Sequence, residues 1–372
     1  MQTILSIAII LTLLTSALII IKFGNHRLTG PNPVSIVTFI AILFTSGLDV
    51  GLIMFPLTEF ATYNENIEYQ FTNPLAIEFG FWGFLVWGFY FLTTFYFCAL
   101  EPKLKLFEIP FIKFINTLII VSTCAFTGYL FFSYLPDYIY EISELTRYII
   151  LSIVIFLAVL SSSKIHYIKW LSLSSTILFI ILLLSFWLNT NIDAKEAFKT
   201  TSLLAGYFKN LHMFITPITD YHAFYLFWWF SWSIMIGQFV SRFVNGMKTW
   251  HLLVALLILP SVPIAIWFSI LYYYHINAIN ISYITNLSMV MVGIIFVINS
   301  LDSLIRLYTE NYNLTLKRLG AKKYILTNFG ILYGLVLIYQ MTPFKIEWVG
   351  LAVIGLYSLI YPLILLKRKS LK

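Results

Sequence analysis

Charge is what this sequence has least of. Only 10% of its 372 residues are charged, against 60% hydrophobic, and the mean hydropathy is +0.88. Soluble domains carry about 25% charged residues, so a soluble globular fold is excluded. Two cysteines, Cys98 and Cys124, both sit inside apolar runs, which excludes a disulfide framework. The sequence lacks H-E-x-x-H, G-x-S-x-G, a Walker A loop and any Cys/His zinc spacing, which removes the common hydrolase, nucleotide and zinc chemistries. Residues 1–22 lack a basic start and a small-residue cleavage site, so they read as a retained helix. No cofactor is implied. The net charge of +7 is spread over short loops, so it does not point to nucleic acid.

What is present is a series of long apolar runs. Eleven segments, near 3–22, 34–61, 76–100, 111–135, 146–162, 166–188, 222–245, 250–273, 284–308, 322–341 and 346–366, have the length and composition of membrane-spanning helices. The expected fold is an all-α polytopic membrane protein. Loop charge alternates along the chain. Eighteen of the 23 basic residues fall on one side, from Lys22 and Arg27 to the 367–372 tail. Acidic loops containing Glu65, Asp137 and Asp193 fall on the other. By the positive-inside rule the basic side is cytoplasmic, which puts the N-terminus outside and the C-terminus inside a plasma membrane. Residues 189–221 form the longest outer loop and read as an amphipathic helix.

Three constellations could carry chemistry. The first is aromatic. FWGFLVWGFY supplies Trp82, Trp87 and Tyr90, within roughly 140° of helical arc. FYLFWWFSWSIMIG supplies Trp228, Trp229 and Trp232, within roughly 100°. A quaternary ammonium has no N–H to donate, so indole and phenol faces are its natural host, each contact contributing ~0.5–2 kcal/mol. Helix packing or interfacial anchoring is the plainer explanation for either set alone. The second constellation is TSGLDVGLIMF, where Gly47 and Gly51 bracket Asp49. Helix-weakening glycines around an acid at mid-membrane suggest an unwound stretch lining a polar cavity, while small-residue helix packing with a satisfied Asp49 is the alternative. The third is FVINSLDSLIRL, with Asn299, Ser300, Asp302 and Ser303, joined by Thr123 and Thr127 one helical turn apart; these oxygens could hold a hard cation or a hydrogen-bonded joint. Asp220 and His222 form a weak external pair that a membrane-embedded enzyme could use.

Taken in order, these residues resemble the betaine/carnitine/choline transporter family from about residue 25 onward. RLTGPNPVSIVTFIAILFTSGLDVGLIMFPLTEF is similar to the family's glycine-rich first repeat helix, with its Glu at Glu59. Trp82, Trp87 and Tyr90 match the aromatic spacing of the next helix. FYLFWWFSWSIMIGQFVSRFVNGMKT resembles the W-W-x-x-W signature segment, and FVINSLDS resembles F-V-T-S-A-D-S. The resemblance implies an inverted five-helix-repeat transporter. Its parts would be a peripheral helix (1–24), one repeat over 34–188 (helices two to six), the outer segment 189–221, and a second repeat over 222–366 (helices seven to eleven). It implies a cage of Trp82, Trp87, Tyr90, Trp229 and Trp232 with Trp228 beside it, and substrate contact at Gly47–Gly51. It further implies an ion site at Thr123, Thr127 and Ser300, where Asn299 replaces a threonine. Asp49 stands at the middle glycine of the family motif, which favours proton coupling, with sodium as the alternative. The expected activity is secondary import of a quaternary ammonium compound, with choline ahead of glycine betaine and carnitine. The expected partners are that substrate and membrane lipid, with self-association into a homo-oligomer compatible. A catalytic role is not expected, and a diverged sensor is a further alternative.

Overall fold

A computed structural model describes residues 1–46, 50–164, 166–190 and 192–367. Ten helical spans are long and apolar enough to cross a membrane, and a shorter apolar stretch, 36–45, accompanies them. In chain order the helices are α1 (Gln2–Phe23), α2 (Ile36–Ser46), α3 (Val50–Glu65), α4 (Pro74–Trp82), α5 (Leu85–Ala99), α6 (Glu101–Leu104), α7 (Pro110–Tyr138), α8 (Glu144–Ser162) and α9 (His166–Thr190). Then come α10 (Ala194–Ser202), α11 (Ala205–Lys209), α12 (Asp220–Val240), α13 (Thr249–Ile258), α14 (Ser261–Ile276), α15 (Tyr283–Asn311), α16 (Leu316–Met341) and α17 (Ile346–Leu366). The protein is an all-α polytopic membrane protein. The expected eleventh span is the pair α2 and α3, which flank residues 47–49; those three, like 368–372 of the basic tail, lie outside the described residues.

Three expectations need correction. The run 250–273 is not one helix but α13 and α14, separated at Leu259 and Pro260. The run 76–100 is not one helix but α4 and α5, separated at Gly83 and Phe84. The outer segment is not one amphipathic helix but two short ones, α10 and α11, followed by a turn of 3-10 helix at Leu211–Phe214. Asp193 caps α10 by accepting from Glu196 N at 2.7 Å, and α11 packs on α4.

Helix neighbours in residues 34–188 and 222–366 share three kinds of contact. The first helix of each half packs on its fifth: α2 on α9, and α12 on α17. The third of each half packs on the fourth and fifth of the other: α7 on α16 and α17, α15 on α8 and α9. The first of each packs on the second of the other: α3 on α14, α12 on α5. A two-residue antiparallel pairing, Arg27 with Lys248 and Leu28 with Met247, ties the start of one half to the other. The spans 74–99 and 220–243 are 83% and 89% buried along their apolar windows, whereas 170–190 and 316–341 are 28%. The aromatic-bearing helices are therefore the interior of the bundle, and their indoles face protein.

Candidate functional site

The interruption between α4 and α5 organises the site. Gly83 is extended (φ −101°, ψ 173°) and Phe84 has a positive φ of 41°. A break inside an apolar span frees backbone groups whose desolvation costs several kcal/mol each unless they find partners. Here aromatic side chains supply them. Phe81 O accepts from Trp229 Nε1 at 2.6 Å, and Trp82 O accepts from Trp87 Nε1 at 3.2 Å. Phe84 N donates to Ser261 Oγ at 2.8 Å, and Leu85 N donates to the Tyr207 hydroxyl at 3.3 Å. Ser261 opens α14 after the matching interruption between α13 and α14, so the two breaks meet.

Trp82 is the hub of the rings. Its centroid lies 5.6 Å from Trp228 and 5.0 Å from Trp229, both edge-on, while Trp228 and Trp229 stack at 4.8 Å. Phe55 of α3 and Tyr225 of α12 close the cluster at 6.0 and 5.9 Å from Trp82. Trp87 and Tyr90 pair with each other at 5.2 Å on the α5 side of the break. Trp232 is buried, with Nε1 unpartnered, and among the described residues it stacks on no other ring. All six aromatics are inside the bundle, yet only Trp82, Trp228 and Trp229 touch as one group. That group is packed ring on ring, so a cation entering it must part the rings.

Of the glycine motif, Gly47 and Asp49 lie outside the described residues. Gly51 lies under Trp82: a Cβ there would come within 2.4 Å of the indole, so only glycine lets the ring approach this closely. Thr123 and Thr127 are buried on α7, Thr127 Oγ1 donating to Thr123 O at 3.3 Å. Asn299 Nδ2 donates to Thr45 O at 3.2 Å, and Ser300 is fully buried beside it. Among the described residues Thr123 Oγ1 and Asn299 Oδ1 are buried without hydrogen-bond partners, which fits oxygen donors for a hard cation. Asp302 is bound by Arg306 through two hydrogen bonds, 3.1 and 3.0 Å, and Arg306 also donates to Ser161 O and Lys164 O. Asp220 and His222 do not form a pair. Asp220 accepts from Gln2 Nε2 at 2.7 Å, while His222 Nδ1 accepts from Ile218 N and its ring stacks on Phe81.

Sequence reading missed an acidic cluster at the end of the bundle where α3 stops and α4 and α12 start. The Tyr63 hydroxyl lies 2.5 Å from Glu59 Oε2 and 2.8 Å from Glu78 Oε2. Tyr221 also donates to Glu59, and the Tyr225 hydroxyl lies 2.9 and 3.0 Å from its two oxygens. Tyr69 roofs the cluster, its hydroxyl 2.6 Å from Thr219 Oγ1, and burial pushes that phenol up to about 12. Glu78 could have been found by the rule that singled out Asp49, because it is an acid inside an apolar run.

No family model matches the chain. The glycine betaine transporter OpuD of Bacillus subtilis is 25% identical over 300 residues, 68% of this chain and 58% of OpuD. A glycine betaine/proline/choline transporter of Vibrio parahaemolyticus is 28% identical over 83 residues, 18% of this chain and 15% of that one. The chain is similar to glycine betaine and choline transporters, at low identity. It covers less than two thirds of the length of each of these relatives. Glycine betaine transporter 1 of Vibrio parahaemolyticus matches at 38% over 48 residues, 13% of this chain and 9% of that one. All three of these relatives are transporters. Among solved structures, the substrate-bound outward-open form of a Na+-coupled sialic acid symporter matches at a TM-score of 0.45 and 14% identity, covering 95% of this chain and 82% of that one. That likeness is too loose to bear on function.

Proposed function

We propose that this protein is a secondary transporter that imports a quaternary ammonium compound, choline before glycine betaine and carnitine. The observation that carries the reading is the meeting of Trp82 with Trp228 and Trp229. These are three buried indoles from two separate parts of the chain, centroids 4.8–5.6 Å apart. Such faces attract a cation that cannot hydrogen-bond. With the rings packed on one another, binding requires Trp82 to move away from Trp228 and Trp229, and Trp87, Tyr90 and Trp232 are the further rings available to the opened cage. The hydrogen bonds at the α4–α5 break make Trp82 the end of a short rigid helix, a suitable part to move when one half rocks against the other.

Coupling to protons, with Asp49 beside Gly47 and Gly51 as the group that titrates, is the preferred energetic reading. Sodium held by Thr123, Thr127, Asn299 and Ser300 is the alternative, supported by the unpartnered oxygens of Thr123 and Asn299. Choline lacks a carboxylate, so an anionic Asp49 favours it over a zwitterion. The protein would sit in the cell membrane with its N-terminus outside and its C-terminus cytoplasmic. The test is uptake of labelled choline, betaine and carnitine into liposomes under separately imposed proton and sodium gradients. Uptake driven by a proton gradient and abolished by Asp49→Asn is the expected result. Uptake driven by sodium alone selects the second ion, and no accumulation under either gradient rejects secondary transport of these compounds.

A further inference from the structure

Glu59 and Glu78 are 5% and 0% exposed, and among the described residues neither meets a lysine or arginine at ion-pair distance. The hydrogen bonds around them can be counted. A phenol hydroxyl donates one proton. Tyr221 and Tyr225 each use theirs on Glu59. Tyr63 has one proton and two close carboxylate oxygens, 2.5 Å away on Glu59 and 2.8 Å away on Glu78. Both contacts are of hydrogen-bond length, so the second needs a proton that a carboxyl carries. Its natural place is Glu78. Glu59 has three phenols to disperse a negative charge. Glu78 has a single phenol, Tyr63, at hydrogen-bond distance among the described residues, and its other oxygen, Oε1, is buried. One turn along, the buried Trp82 indole N–H also faces Glu78. Two like charges in one dehydrated pocket repel strongly, which also favours one proton on the pair.

We propose that Glu59, Tyr63 and Glu78 form a proton-binding site in which the two carboxyls hold one exchangeable proton between them. In the described arrangement a Glu78 carboxylic O–H donates to the Tyr63 oxygen, and Tyr63 donates to an ionised Glu59. Tyr225 joins this site to the rings, since its hydroxyl bonds Glu59 and its ring contacts Trp82 and Trp228 at 5.9 and 5.7 Å. Loss of the proton would leave Tyr63 between two anions and drive Glu78 away, and Glu78 is on the same short helix as Trp82. Other titratable groups lie on the elements packed around the site. They are Glu65 at the end of α3, Glu68 and Tyr69 in the turn before α4, Tyr134, Asp137 and Tyr138 of α7, Tyr207 and Lys209 of α11, His212 after it, Asp220 and His222 of α12, and Tyr272, Tyr273 and His275 of α14. The ionisable pair of α15, Asp302 and Arg306, lies toward the opposite end of that helix. The cation on these elements at this end of the bundle, Lys209 at the end of α11, is exposed and among the described residues makes no ion pair with either acid, so no fixed cation in contact holds both acids ionised.

The presence of this proton is independent of the transport reading; only its use in coupling rests on that reading. The test is infrared difference spectroscopy of the full chain in lipid, in the C=O stretching region of protonated carboxyls, in light and heavy water. The expected result at neutral pH is a band that shifts in heavy water and is lost in Glu78→Gln. In Tyr63→Phe, which keeps both acids, the band should move in frequency because its hydrogen-bond partner is gone. Identical spectra for wild type and both variants across the pH range where the fold persists would overturn the proposal. Tetramethylammonium binding, read by tryptophan fluorescence on the same samples, separates the two ideas. If the band behaves as expected and the probe does not bind, the proton site stands and the quaternary ammonium reading fails.

Discussion

Asp302 near one end of the bundle and the Glu59–Glu78 pair near the other are all buried acids, and they are satisfied by opposite means. Asp302 is held by Nε and Nη2 of the Arg306 guanidinium, whose Nη2 also donates to two backbone carbonyls at the α8 end. It is a charge with a fixed countercharge, locked within one helix by an i, i+4 spacing. Among the described residues Glu59 and Glu78 meet phenols and no base. Tyrosine hydroxyls can be donor or acceptor and follow a proton, which a guanidinium cannot do. The first arrangement welds helices together. The second, spread over α3, α4 and α12, links three helices through bonds whose pattern depends on protonation. A buried acid is thus a joint or a switch according to what faces it, and sequence position alone does not say which.

The contrast can be broken or sharpened by substitution. Asp302→Asn should have the largest effect, lowering stability by about 3–5 kcal/mol because it strands a buried guanidinium; denaturant unfolding in detergent measures it, and a loss below about 1 kcal/mol would remove the distinction. Glu59→Gln comes next, at about 1–3 kcal/mol, since three phenols lose a charged acceptor and an amide cannot replace it. Tyr225→Phe deletes one of those donors and should cost about 0.5–1.5 kcal/mol in the same assay. Glu78→Gln should cost least, under about 1 kcal/mol, because an amide N–H can donate to Tyr63 as a carboxylic O–H does. A Glu78→Gln loss as large as that of Asp302→Asn would mean that Glu78 is an ionised structural acid, and the contrast between the two ends would disappear.

Much of the architecture was legible without coordinates. The spans, their order and the interior placement of Trp82, Trp228 and Trp229 follow from apolar length and clustered indoles. The interruption at Gly83–Phe84 was not legible, because FWGFLVWGFY is as apolar and aromatic as a continuous helix. Its partners, Ser261, Tyr207 and Trp229, are more than a hundred residues away. Trp87 and Trp229 were expected to use their faces, yet their N–H groups are occupied by carbonyls at that break. Glu78 stood in plain view inside an apolar run, but its meaning depends on Tyr63 and Glu59 of the preceding helix.

The sequence by itself determined that this chain lives in a membrane as a bundle of helices, because the cost of exposing or burying a peptide group in hydrocarbon is set by composition over about 20 residues. Only the tertiary structure decided which indoles pack together, which donate hydrogen bonds, and which buried acids meet a base or a phenol. Those outcomes depend on contacts of about 3 Å between residues far apart in the chain, and nothing in local composition encodes them.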